Sequence, residues 1–112
     1  MIYGKKEGEF LGSIGLSAVD RVHGFSHLGY WVRSGRRREG IGAAAVRLAA
    51  DYAFDELGLY RLELIIPVGN LGSTGVAEKA GAVREGVLKS RVRLNGKHHD
   101  AAIYSLVRRT AD

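Results

Sequence analysis

Apolar and polar positions divide this chain into short strand-like runs and two segments with helical spacing. Met1–Tyr3 is a short apolar start, and Gly4-Lys5-Lys6-Glu7-Gly8 reads as a turn. Glu9–Val19 carries Phe10, Leu11, Ile14, Leu16 and Val19 among small residues. It predicts a strand, so residues 1–19 predict a β-hairpin turned by two glycines. Asp20–Ser26 predicts a loop and His27–Arg33 an aromatic-rich strand. The spacing of Ile41, Ala44, Ala45, Leu48 and Tyr52, with Ala49 and Ala53 on the adjoining edge, predicts a helix over Ala43–Leu57. Alanine raises its propensity, and Gly58 supplies a C-cap. Arg61–Val68 predicts a strand with Leu62, Leu64 and Ile66 on one face and Arg61, Glu63 and Ile65 on the other. Strand, helix and strand form a β-α-β unit, which calls for parallel neighbours and a right-handed crossover. Asn70–Lys79 predicts a second short helix, stopped by Gly81. Val83–Leu94 and Ala101–Val107 predict a last hairpin around Asn95-Gly96, with a loop longer than two residues.

Composition narrows the class. The 112 residues make one domain at most, spanning 1–112, with 46% hydrophobic and 26% charged content typical of a globular chain. Zero cysteines exclude disulfides, thiolate metal sites and a cysteine nucleophile, and fit a cytoplasmic setting. No apolar run reaches membrane-spanning length, so no membrane role is expected. The net charge of +5 fits either a solvated basic surface or an anionic ligand. Nucleic acid is the weaker reading, because neither a helix-turn-helix nor an aromatic RNA-binding motif is present.

Local chemistry concentrates at Arg36-Arg37-Arg38-Glu39-Gly40-Ile41-Gly42, between the second strand and the first helix. A glycine-rich turn opening a helix gathers unpaired N–H groups and the positive end of the dipole, which suits phosphate or pyrophosphate. The spacing is not a Walker loop, since no Gly-Lys-Ser/Thr follows. It also departs from the dinucleotide fingerprint, with Ala45 in the third glycine slot.

These stretches, in this order, resemble the GNAT superfamily of N-acetyltransferases, and most of all its ribosomal-protein N-terminal acetyltransferase branch. The resemblance rests on Leu28–Val32, on Arg37–Gly42 as the Arg/Gln-x-x-Gly-x-Gly/Ala motif, and on Asp51–Leu59. It continues through Asn70, Ser73 and Glu78–Ala82, and through Glu85-Gly86 with Asp100–Leu106. It implies an α/β (α+β) fold, a mixed, mostly antiparallel sheet with a central parallel β-α-β unit. It implies acetyl-CoA as co-substrate, an amine acceptor and no metal. The implied cofactor contacts are Trp31, Val32 and Arg33 on the strand edge, Arg37, Arg38, Glu39, Gly40, Ile41 and Gly42 in the loop, and Asn70 and Ser73.

Candidate catalytic residues follow, each beside a plainer role. In the resemblance Ser73 protonates the leaving thiolate; it also fits a helix first turn. Asn70 contacts cofactor or caps the same helix. His27 stands where many relatives carry a glutamate base; a solvent-facing edge histidine is the alternative. Glu63 is a second base candidate, or a partner of Arg61. His98 and His99 lack a third spaced metal ligand. Tyr104 matches a family tyrosine or is a half-buried strand residue. Ala82 replaces the usual phenylalanine and removes core volume. Relatives begin with a strand and two helices before the hairpin found here at 1–19. Without them, apolar sheet surface is expected to be exposed unless another chain covers it. The expectation is an upstream extension, a homodimer, or a module that binds acyl-CoA without efficient transfer.

Overall fold

The computed structural model describes residues 2–3, 10–32 and 36–109. In chain order the elements are β1 (Ile2–Tyr3), β2 (Phe10–Asp20), β3 (Phe25–Val32), α1 (Arg36–Asp55), β4 (Arg61–Pro67), α2 (Leu71–Lys79), β5 (Val83–Leu94) and β6 (Lys97–Val107). The strands form one sheet in the order β1-β2-β3-β4-β6-β5. Among the described residues only β3 and β4 run parallel; the other pairs are antiparallel. This is the mixed α/β sheet with a central β-α-β unit that the sequence predicts.

The alternation of β4 sets the layers. Leu62, Leu64 and Ile66 are buried in a cluster with Val46, Ala50 and Ala53 of α1, Val76 and Ala77 of α2, and Leu28 and Tyr104. Both helices therefore pack on one face of the sheet. Arg61, Glu63 and Ile65 point to the opposite face, left uncovered among the described residues, as expected from a period of two.

Several expectations are corrected. The first helix starts at Arg36 rather than Ala43. Arg-Arg-Arg-Glu are strong helix formers and outweigh the two glycines that follow, each costing about 1 kcal/mol relative to alanine. Its buried stripe is Gly42, Ala43, Val46, Ala50 and Ala53, while Leu48 and Tyr52 are 70% and 54% exposed. The small stripe lets the helix approach the sheet closely, and the bulky pair falls on the outer side. The last hairpin is tight: Leu94 pairs with Lys97, and Asn95 (φ 50) and Gly96 (φ 77) form the two-residue turn. Strand β6 thus contains His98, His99 and Asp100. Phe25 and Ser26, expected in a loop, open β3. On the face opposite the helices charged groups lie at the centre, and Val83 and Val107 are exposed beside them. The expected turn at Gly4–Gly8 lies outside the described residues.

Candidate active site

Strands β3 and β4 pair over only three rungs, Phe25–Arg61, Ser26–Leu62 and His27–Glu63. Beyond them each strand stays with its outer neighbour. β3 follows β2 as far as Val32–Gly12, and β4 follows β6 as far as Pro67–Ala101. The two strands therefore part after His27 and Glu63. A cavity of about 150 Å³ opens there, lined by Leu28, Gly29 and Tyr30, by Leu64 to Pro67, and by Asn70 and Ser73. From Leu28 onward the β4-facing edge of β3 is released from its parallel partner.

The first turn of α2 closes one side of this cleft. Asn70 is its N-cap, and its Oδ1 accepts from the Ser73 N–H at 3.2 Å. Tyr30 Oη donates to the Ser73 carbonyl at 2.6 Å. The Ser73 main chain is thus held at both its N–H and its carbonyl, and the residue lines the cavity. Burial, with Tyr104 adding a smaller effect, pushes the Tyr30 phenol well above its ordinary range. Sequence reasoning missed Tyr30. Its signal was present, since alternation places it on the core face with Leu28, where a buried phenol needs a partner.

On the uncovered face, directly below the parting point, the structure joins the two base candidates. His27 Nε2 lies 3.4 Å from Glu63 Oε1. Glu63 Oε2 accepts from Arg61 Nε at 2.9 Å. Arg61 also donates twice to Glu85, at 2.9 and 2.6 Å. Ser105 Oγ completes the chain, donating to Glu85 Oε2 at 2.7 Å. The chain crosses four strands. Glu85 reaches it from a bulge, because Arg84 opposes Tyr104 and Gly86 opposes Ile103, leaving Glu85 as the extra residue. The Arg61 guanidinium, and secondly the Ser105 hydroxyl, hold the Glu85 carboxyl down at about 2. Glu85, with a smaller contribution from Glu63, holds the Arg61 guanidinium firmly protonated against the opposing effect of its burial. Both plain alternatives for these residues are realised: Asn70 is a cap and Glu63 does pair with Arg61.

The anion-site candidates occupy the start of α1. Arg37, Arg38 and Glu39 lie in its first turn, and Gly40, Ile41 and Gly42 follow inside the helix. The unpaired N–H groups of a helix are its first four, so they belong here to Arg36–Glu39 rather than to the glycines. Trp31 and Val32 pair with Ser13 and Gly12 of β2. Arg33 lies outside the described residues. The structure thus assembles Asn70 with Ser73 and His27 with Glu63, as two groups on either side of one parting point. His98 and His99 oppose Arg93 and Val92 in the hairpin, away from both.

Comparison with known proteins agrees with this geometry. The profile of the Acetyltransferase (GNAT) domain matches residues 1–83. "Putative ribosomal N-acetyltransferase YdaF" of Bacillus subtilis is 38% identical over 103 residues, covering 92% of this chain and 56% of that protein. Spermidine N(1)-acetyltransferase of Escherichia coli K12 is 30% identical, covering 85% and 51%. The structure of Mycobacterium smegmatis RimJ in complex with CoA-disulfide superposes with a TM-score of 0.81 at 29% identity, covering 90% and 49%. The chain therefore spans about half the length of these relatives. With a family profile over most of its length, strong similarity to such relatives, and the parted parallel strands in place, the chain belongs to the GNAT acetyltransferase family.

Proposed function

We propose that residues 1–112 act as an acetyl-CoA-dependent N-acetyltransferase domain that modifies a primary amine, on a protein N-terminus or a small molecule. The observation that carries this reading is the parting of β3 from β4 after His27 and Glu63, with Asn70 and Ser73 facing the cleft. A released strand edge offers backbone N–H and C=O groups to an amide-bearing chain such as pantetheine. The first turn of α1, with Arg37, Arg38 and Glu39 near Gly40, Ile41 and Gly42, offers N–H groups to a pyrophosphate. Gly29 leaves room at the cleft wall, and described atoms crowd neither Gly29 nor Gly40. Trp31 and Val32 extend the same edge, and Arg33 follows them in sequence as a further proposed contact.

Acetyl-CoA supplies an activated thioester. The chain's own task is to place the amine and to move two protons. The His27–Glu63 pair accepts the proton that the attacking nitrogen loses. Ser73 delivers a proton to the sulfur as the carbon–sulfur bond breaks and the amide bond forms. Such positioned proton transfer contributes about 10²–10⁴-fold. A cytoplasmic setting and a homodimer belong to the same reading. Among the described residues, no helix is long and apolar enough to cross a membrane.

Calorimetry with acetyl-CoA and thiol release with N-terminal peptides and polyamines test the proposal. Binding with turnover is the expected result. Absence of any acetyl-CoA binding overturns it, and binding without turnover favours an acyl-CoA-binding module. Ser73→Ala should reduce kcat at least 10²-fold with acetyl-CoA affinity retained. Unchanged turnover removes Ser73 from the reaction.

A further inference from the structure

The ionic chain on the uncovered face ends in two groups to which the reaction assigns no role, Glu85 and Ser105. Neither lines the cleft. Glu85 nevertheless takes two Arg61 nitrogens, leaving only Nε for Glu63. Arg61 then binds one Glu63 oxygen, and the other faces His27. Ser105, only 4% exposed, fixes the Glu85 carboxylate from the neighbouring strand. A β-bulge aims Glu85 at this position, and bulges commonly re-aim a side chain in this way.

We propose that Glu85 and Ser105 are positioning residues that act through Arg61 to set how strongly the His27–Glu63 pair holds a proton. For the reaction, this rests on the acetyl-transfer reading. Glu85 opposes the Arg61 charge and restrains it from taking both Glu63 oxygens. Without Glu85, the guanidinium turns fully to Glu63, competes with the imidazolium and adds an unopposed positive charge. Without Arg61, Glu63 is free for His27. The two losses act in opposite directions. Around His27 the other contributors are few among the described residues. Its β2 partner is the uncharged Ser17, and the nearest β2 carboxylate, Asp20, opposes Phe25 and is engaged by His23. On the β6 side Glu63 opposes Ser105 and Arg61 opposes Val107.

The test is an NMR titration of the His27 ring, assigned with His27→Gln, in the full chain. Glu85→Gln keeps the shape and removes the charge; it should lower the His27 midpoint by about 0.5 pH unit. Arg61→Met should raise it by a similar amount. Ser105→Ala should lower it less, and Ser105→Thr should restore it. His23, His98 and His99 serve as internal controls and should not move. An unmoved His27 midpoint in Glu85→Gln and Ser105→Ala, or shifts of the same sign in Glu85→Gln and Arg61→Met, overturns the proposal. In the active protein the acidic limb of kcat/KM should follow the midpoint while KM for acetyl-CoA stays constant. Opposite midpoint shifts in a protein without turnover uphold the positioning role and reject the acetyl-transfer reading. Turnover with an unmoved midpoint does the reverse.

Discussion

Removing one oxygen, in Tyr30→Phe, tests how the cleft is tied together. The phenol donates to the Ser73 carbonyl at 2.6 Å, and phenylalanine keeps the ring in place. Ser73 lies inside α2, so its carbonyl retains its helical donor and is not orphaned. The loss at pH 7 is then one neutral hydrogen bond, about 1 kcal/mol. For a chain of this size that lowers Tm by roughly 4–6 °C. The pH dependence is more discriminating. Burial raises the Tyr30 phenol above its ordinary value of 10, so its stabilising contribution is complete below pH 10 and is lost as pH rises beyond it. At pH 11 the unfolded phenol is ionised and the folded one is not, which favours unfolding by about 1.4 kcal/mol. That exceeds the hydrogen bond. The wild type should therefore be about 1 kcal/mol more stable than Tyr30→Phe at pH 7, and no more stable at pH 11. Urea unfolding at both pH values measures the gap, and the other tyrosines cancel in the difference. Equal stability at pH 7, or a gap that stays constant to pH 11, refutes the reasoning.

Other substitutions probe the layers, the cap and the ion pair. Leu64→Ala, at a fully buried position, should cost about 2–5 kcal/mol in chemical denaturation. Leu48→Ala, on the outer side of α1, should stay within about 0.5 kcal/mol; a large loss there would reinstate the helix face read from the sequence. Asn70→Ala removes the α2 cap and should cost about 1 kcal/mol by the same measurement. The Glu85 carboxyl, held at about 2 in the fold against an ordinary 4.5, contributes stability above pH 4.5 that disappears as pH falls toward 2. Glu85→Gln should therefore flatten acid unfolding across that window, and an unchanged acid limb would show that the Arg61 pair contributes nothing measurable.

Periodicity made most of the fold legible. Residues 61–68 alternate with β-branched and leucine side chains, and a period of two leaves no doubt about which face is buried. The helix over 43–57 was legible as an element but not as a face. Alanine is small and apolar on every side, so Ala44, Ala45 and Ala49 could not reveal which stripe meets the sheet. Its start was obscured because glycine marks turns more often than second helical turns. The catalytic candidates were legible only as separate residues. His27 and Glu63 are 36 positions apart in sequence, and their contact follows from the parallel rung joining them. Glu85 was visible only as part of Glu85-Gly86, because a bulge depends on pairing between strands, which no local pattern encodes.

The parting of β3 and β4 explains why one short parallel pair can serve both faces of the sheet. Parallel pairing is slightly weaker per residue than antiparallel, and here it is limited to three rungs between two longer antiparallel ladders. The last rung, His27–Glu63, lies beside a second irregularity. In β2 the register shifts between Ser17 and Asp20, where Ala18 takes a φ of 51. Bulges increase local twist, and this one adjoins the rung, paired with Ser17, at which β3 leaves β4. On the far side the Glu85 bulge brings a carboxylate back across β6 to Arg61. The parting that opens the cleft toward Ser73 and the ionic chain that braces Glu63 therefore meet at one rung. A residue there faces the ionic chain while its neighbours line the cleft, and this places His27 and Glu63 next to the site without making them part of its wall.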